Sequence, residues 1–125
     1  MKNPREKRIL ILDDDETLLY MLVDALTYHP EYNVITHHCN QEVNNIINDY
    51  QPHVIIIDYM KPSHKDHELC SIIEKTKFHT SIPIIILSAF PNSLESNNEL
   101  SVDDYLIKPF NLIDLEDKIN HLIYN

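Results

Sequence analysis

Short runs of branched apolar residues alternate with stretches of helical periodicity along most of the chain. The most uniform run is Val54-Ile55-Ile56-Ile57, four β-branched residues closed abruptly by Asp58. A strand covered on one face alternates apolar and polar positions, whereas a strand covered on both reads as continuous apolar sequence. Residues 54–58 are therefore predicted to be a central strand of a parallel sheet. Similar runs predict strands at 8–12, 33–36, 84–87 and 104–107. Between them, apolar residues at helical spacing predict helices at 16–28 (Leu18, Leu19, Leu22, Val23, Leu26), 41–50 (Val43, Ile46, Ile47) and 67–76 (Leu69, Ile72, Ile73). A fourth helix, at 94–100, is weakly periodic. A fifth, at 111–123, has Asn111 placed as its N-cap and Asp114 in its first turn. Pro30 and Pro52 close the first two helices, and Pro83 precedes the fourth strand. Residues 1–7 are charged and aperiodic, so a frayed tail is expected there.

Strands alternating with helices through short connections specify an α/β fold, a doubly wound five-stranded parallel sheet. Right-handed crossovers favour the strand order 2-1-3-4-5, the flavodoxin-like arrangement. No repeat or linker interrupts the pattern, so residues 1–125 are expected to form a single domain with its core over about 8–123. In such a sheet, ligands bind in the crevice outside the carboxyl ends of the strands. Asp58 sits at one of those ends.

Composition narrows the partners. Twenty acidic against ten basic residues give a net charge of −10, a field that repels nucleic acid and anionic membrane surfaces. The early apolar run Ile9-Leu10-Ile11-Leu12 is too short for a signal core or a membrane span, and a cytoplasmic location is expected. Cys39 and Cys70 have no CxxC spacing and are expected to be reduced thiols outside the mechanism. Glycine is absent, which excludes the P-loop and GxGxxG phosphate cradles and leaves turns to Asn, Asp, Ser, His and Pro.

The strand ends carry the chemistry. The first closes on Asp13-Asp14-Asp15, the third on Asp58, the fourth on Ser88-Ala89 and the fifth on Lys108-Pro109. All four endings fall on the same edge of the sheet. Carboxylates gathered so closely raise one another's pKa and call for a compensating cation. Oxygen-only ligands of this kind suit Mg²⁺, held by one or two carboxylates plus a phosphate. Asp58 is then an attacking carboxylate for phosphoryl transfer, with Mg²⁺, the Ser88 hydroxyl and the Lys108 ammonium neutralising the phosphoryl oxygens.

The segments ILILDDDE, PHVIIIDYMKP, IPIIILSA and DDYLIKPF together resemble the receiver domain of two-component response regulators, from Arg8 to Ile123. The resemblance implies that Asp58 is the phospho-acceptor, Asp14 the direct metal ligand and Asp13 its outer-shell partner, with Met60 giving a backbone carbonyl to Mg²⁺. It also implies that Ser88 and Lys108 contact the phosphoryl group, that Ser88 and Tyr105 form the switch with Tyr105 turning inward, and that the Lys108-Pro109 bond is cis. The expected phosphodonor is a sensor histidine kinase or a phosphotransfer protein. The expected output is a downstream protein target docking on the face of the fourth helix, fifth strand and fifth helix, by a monomer or a phosphorylation-dependent dimer. The domain is expected to be no enzyme beyond accepting phosphate and slowly losing it. Ser63-His64-Lys65-Asp66-His67 and Ser101-Val102 stand where the family usually has glycines, so the loop after Asp58 and the 94–100 helix depart from its pattern.

One rival comes from another class. Asp13-Asp14-Asp15-Glu16-Thr17 also fits DxDxT after an apolar strand and resembles the nucleophile motif of haloacid-dehalogenase-type phosphatases, with Asp13 attacking and Asp15 as acid/base. That reading needs an acidic pair beyond the lysine and gives Asp58 no task. The eight histidines, including His37-His38 and His64/His67, form no HExxH or clustered Cys/His pattern and are expected to be solvated loop residues. Tyr105 is equally compatible with plain core packing.

Overall fold

The computed structural model describes residues 6–13, 16–37, 42–59, 67–88 and 102–124. The strands are β1 (Lys7–Leu12), β2 (Tyr32–His37), β3 (Val54–Tyr59), β4 (Ile84–Ser88) and β5 (Asp104–Ile107). All neighbours pair in parallel, in the order β2-β1-β3-β4-β5. The helices are α1 (Glu16–Leu26), α2 (Val43–Tyr50), α3 (His67–His79) and a C-terminal helix (Leu112–Ile123). The expected doubly wound sheet is the observed one. The expected helix at 94–100 lies outside the described residues.

The continuous apolar strands follow from the two cores they separate. Leu10, Leu12, Ile55, Ile57, Ile84 and Ile86 face α2 and α3, where Val43, Ile47, Ile72 and Ile73 meet them. Ile9, Ile11, Val54, Ile56, Ile85 and Leu87 face the other way, onto Leu22 and Leu26 of α1 and Leu115 and Ile119 of the C-terminal helix. Successive residues of a strand thus enter opposite cores, and neither face can be polar. Among the described residues, no helix is long and apolar enough to cross a membrane.

Several boundaries move. Lys7, assigned to the frayed tail, is the first residue of β1: it pairs with Tyr32, and its amide donates to the Glu31 carbonyl at 2.7 Å. α1 stops at Leu26 rather than 28: the Thr27 amide still bonds the Val23 carbonyl at 2.9 Å, and the His29 amide then turns to the Leu26 carbonyl at 3.1 Å in place of the next helical bond. α3 continues to His79 instead of 76, its last turn carrying Lys77 and His79 against the helix dipole. Asn111 caps the C-terminal helix as expected, accepting from the Ile113 amide at 2.9 Å.

Without glycine, α2 ends on Gln51 in the left-handed region (φ 52°, ψ 64°), its amide donating to the Ile47 carbonyl at 2.9 Å. A side chain with a Cβ is strained there, so Gln51→Gly is expected to raise the unfolding free energy by about 0.5–1 kcal/mol. A denaturant midpoint at or below that of the parent would count against that strain. His53, just before β3, is held in its neutral form. Its Nδ1 accepts from the Arg8 amide at 2.9 Å, while burial, then Arg8 and Lys7, press its pKa below the ordinary 6.5. The unfolded imidazole takes up its proton first as pH falls. The stability this group contributes is therefore fully present above about pH 6.5 and is lost on descending from there toward its folded value. Chemical denaturation between about pH 5 and 7.5 should show a shallower pH slope in His53→Gln than in the parent, and parallel slopes would refute the assignment.

Candidate functional site

The register delivers the strand ends to one place. Leu12 of β1 pairs with Ile57 of β3, so Asp13 emerges beside Asp58. Tyr59 pairs with Ser88 and Ser88 with Ile107, which puts the Ser88 hydroxyl and the following Lys108 on the same edge. The Lys108 amide prolongs the ladder by donating to the Ser88 carbonyl at 2.7 Å. The Lys108-Pro109 bond is cis, as the resemblance implied. Asp13 (2% exposed), Asp58 (7%) and Ser88 (0%) are buried at this edge, against the habit of such residues.

Lys108 Nζ forms an ion pair with Asp58 Oδ1. The contact is one of charge: neither Asp58 oxygen accepts a well-formed hydrogen bond among the described residues. Asp58 Oδ2 is buried with neither a hydrogen bond nor an ion pair among the described residues, which is costly, and such a hard oxygen donor fits Mg²⁺. Among the described residues, no three acidic, His or Cys side chains gather as a metal-binding group. Asp14, Asp15 and Met60 lie outside the described residues.

Of the expected site residues, the structure therefore brings together Asp13, Asp58, Ser88 and Lys108. Tyr105 stands apart from them, paired with Ile86 in the ladder and 43% exposed, which excludes plain core packing for its ring. Two features were missed by sequence reasoning. Lys118 of the C-terminal helix bonds both oxygens of Asp104 at 3.0 Å, tying that helix to β5. Lys108 also lines an apolar groove of about 540 Å³ with Met21, Leu22, Ala25, Phe110 and Leu112. Neither leaves a local signal, because each joins elements distant in sequence.

The family model of the response regulator receiver domain matches residues 9–120. A “Probable transcriptional regulator ycf27” from Cyanidium caldarium is 33% identical over 124 residues, covering 98% of this chain and 48% of that protein. The response regulator ArlR of Staphylococcus aureus is 32% identical over 119 residues, covering 93% of this chain and 52% of its own. The chain thus spans about half the length of the curated relatives it matches. Among solved structures, the receiver domain of the Francisella response regulator 1452 aligns with a TM-score of 0.75 at 28% identity, over 95% of this chain and 98% of that one. A two-component response regulator from Clostridium difficile shares the fold at a TM-score of 0.79 and 23% identity, over 96% of this chain and 98% of the other. This chain belongs to the response regulator receiver domains, the signalling modules of two-component systems. Such domains work between sensor kinases and downstream targets.

Asp13 and Asp58 are acidic side chains at neighbouring strand ends, and Lys108 pairs with Asp58. Asp13→Asn keeps the shape and removes one charge, so in magnesium-free buffer it should raise the unfolding free energy by about 1 kcal/mol, and the gain should shrink as Mg²⁺ is added. An unchanged or lowered melting temperature in that buffer would contradict the electrostatic account.

Proposed function

We infer that residues 8–123 form one phospho-accepting receiver domain, acting in the cytoplasm, in which Asp58 takes a phosphoryl group from a phosphohistidine of a sensor kinase or phosphotransfer protein. The observation that carries this reading is the ion pair of the buried Asp58 with Lys108 at the carboxyl edge of the central strand, with Asp13 and Ser88 at the same edge. An Asp58 oxygen attacks phosphorus, and the P–N bond breaks with its electron pair returning to the imidazole. The product is an acyl phosphate. The Lys108 ammonium passes from the carboxylate to a phosphoryl oxygen, and the Ser88 hydroxyl bonds another. Asp14, Asp58 and the Met60 carbonyl would hold Mg²⁺, with Asp13 in its outer shell; the ion supplies neutralisation of phosphoryl charge.

Ser88 and Lys108 flank the segment 90–107, so their movement toward phosphate draws on that segment first. Tyr105 lies within it, and its exposed ring turns inward as Ser88 moves. The output is a changed protein-docking surface around β5 and the C-terminal helix. A net charge of −10 favours a protein over nucleic acid as the partner there. Docking is by the monomer or by a dimer formed on phosphorylation.

Labelling from acetyl phosphate with Mg²⁺ tests the reading. The parent should take one phosphate and Asp58→Asn none, while Lys108→Ala should still be labelled but should lose the response of the β5 amides to beryllofluoride, a phosphoryl mimic. Label retained in Asp58→Asn and abolished in Asp13→Asn would instead select the phosphatase chemistry.

A further inference from the structure

A second concavity, of about 310 Å³, opens between α2 and α3, on the face of the sheet away from α1. It lies at the lower end of the size range of small-molecule sites. Ile47 and Thr76, both buried, form part of its lining, and Asn44, Asn48, Lys75 and His79 contribute polar side chains. Among the described residues no carboxylate lines it, in a chain holding twenty acidic residues.

Its donors are uncommitted. Lys7 lies over the Tyr124 ring, Lys77 pairs with Asp103, Lys108 with Asp58 and Lys118 with Asp104. Lys75 alone among the described lysines has no hydrogen bond, ion pair or ring contact. The carboxamides of Asn44 and Asn48 have no protein hydrogen bond among the described residues, and His79 makes only an edge contact with the Phe78 ring at 5.0 Å. The Thr76 hydroxyl, in contrast, is already spent as a donor on the Ile72 carbonyl at 2.7 Å. The carbonyl end of α3 is unfavourable for an anion, and the Lys75 ammonium is the cation of the lining that opposes that field.

We propose that this cleft binds a small phosphate monoester bearing hydroxyl groups, with Lys75 and His79 meeting the phosphate and the carboxamides of Asn44 and Asn48 meeting the hydroxyls. A carboxamide both donates and accepts, as a hydroxyl does, so the pair reads a polyol better than a bare ion. The cleft is partly open to solvent, and its affinity is modest, with a Kd on the order of 1 mM.

Titration of the full chain with glycerol 1-phosphate, followed by NMR in magnesium-free buffer, tests this. Saturable shifts are expected in the side-chain amides of Asn44 and Asn48 and in the ring signals of His79. Inorganic phosphate should require several-fold more ligand. Lys75→Gln should weaken binding about tenfold, the loss of one charge-assisted contact. Asn48→Asp, which places a carboxylate in the cleft, should abolish it, and both variants should keep the parent's melting temperature. No saturation by about 20 mM, shifts centred on Asp58 and Lys108 with the cleft silent, or parental affinity in Lys75→Gln would each overturn the site. Equal affinity for inorganic phosphate would overturn the role given to the carboxamides.

Discussion

The structure turns on one buried charge. The side chain of Asp58 has no exposure to water, and an ionised carboxylate in that position persists only if a counter-charge reaches it. Lys108 comes from the far edge of the sheet, with β4 lying between the two strands. The parallel register makes the meeting possible. Each strand runs the same way and stops at nearly the same level, so Asp13, Asp58, Ser88 and Lys108 emerge together although the chain separates them widely. The apolar strands that build the two cores are therefore also the rulers that set the site.

The strand carrying Lys108 is held differently from the central strands. β5 has four residues, lies at an edge and alternates between half-buried and exposed positions, whereas β4 is buried throughout. Polar contacts take the place of burial. Asp103 Oδ2 accepts from the Ile84 amide at 2.8 Å and pairs with Lys77, which also donates to the Ile82 carbonyl at 3.0 Å. On the other side, Lys118 holds Asp104. Partly exposed pairs of this kind contribute on the order of 1 kcal/mol or less each, well below the cost of disturbing a packed core strand. β5 is thus held less firmly by burial than β4, its neighbour in the sheet.

How far the sequence could be read follows from the same division. Strands covered on both faces carry a signal in every residue, which is why 54–58 and 84–87 were placed within a residue or so of β3 and β4. Asp58 and Ser88 stand out because each interrupts such a run at its end, whereas Lys108 follows a half-exposed strand and stands out by its place before Pro109. Helix ends were read less well. The turn at His29 closes α1 and the basic last turn of α3 favours its extension, and neither effect has an apolar period. Lys7 joins β1 through a ladder to Tyr32 that only the fold provides. The ties of Lys118 to Asp104 and of Lys77 to Asp103 are charges among many on an acidic chain, and nothing local marks which of them meet.

Magnitudes limit what Tyr105 can do in the proposed switch. Its ring is 43% exposed, and burying a whole aromatic side chain is worth roughly 1.5–3 kcal/mol, so completing this partial burial gains less. Carrying a two-state element from about 1:99 to 99:1 takes roughly 5.5 kcal/mol. The ring alone therefore falls short. Hydrogen bonds to a charged phosphoryl group contribute roughly 1.5–3 kcal/mol apiece, and Lys108 and Ser88 can each make one. Part of the lysine's gain is spent in leaving Asp58, whose negative charge the phosphoryl group inherits. Throwing the switch then requires both phosphoryl contacts together with the ring. On this reckoning Tyr105 reports the state of the site to the surface, and the energy comes from the edge where Lys108 and Ser88 meet.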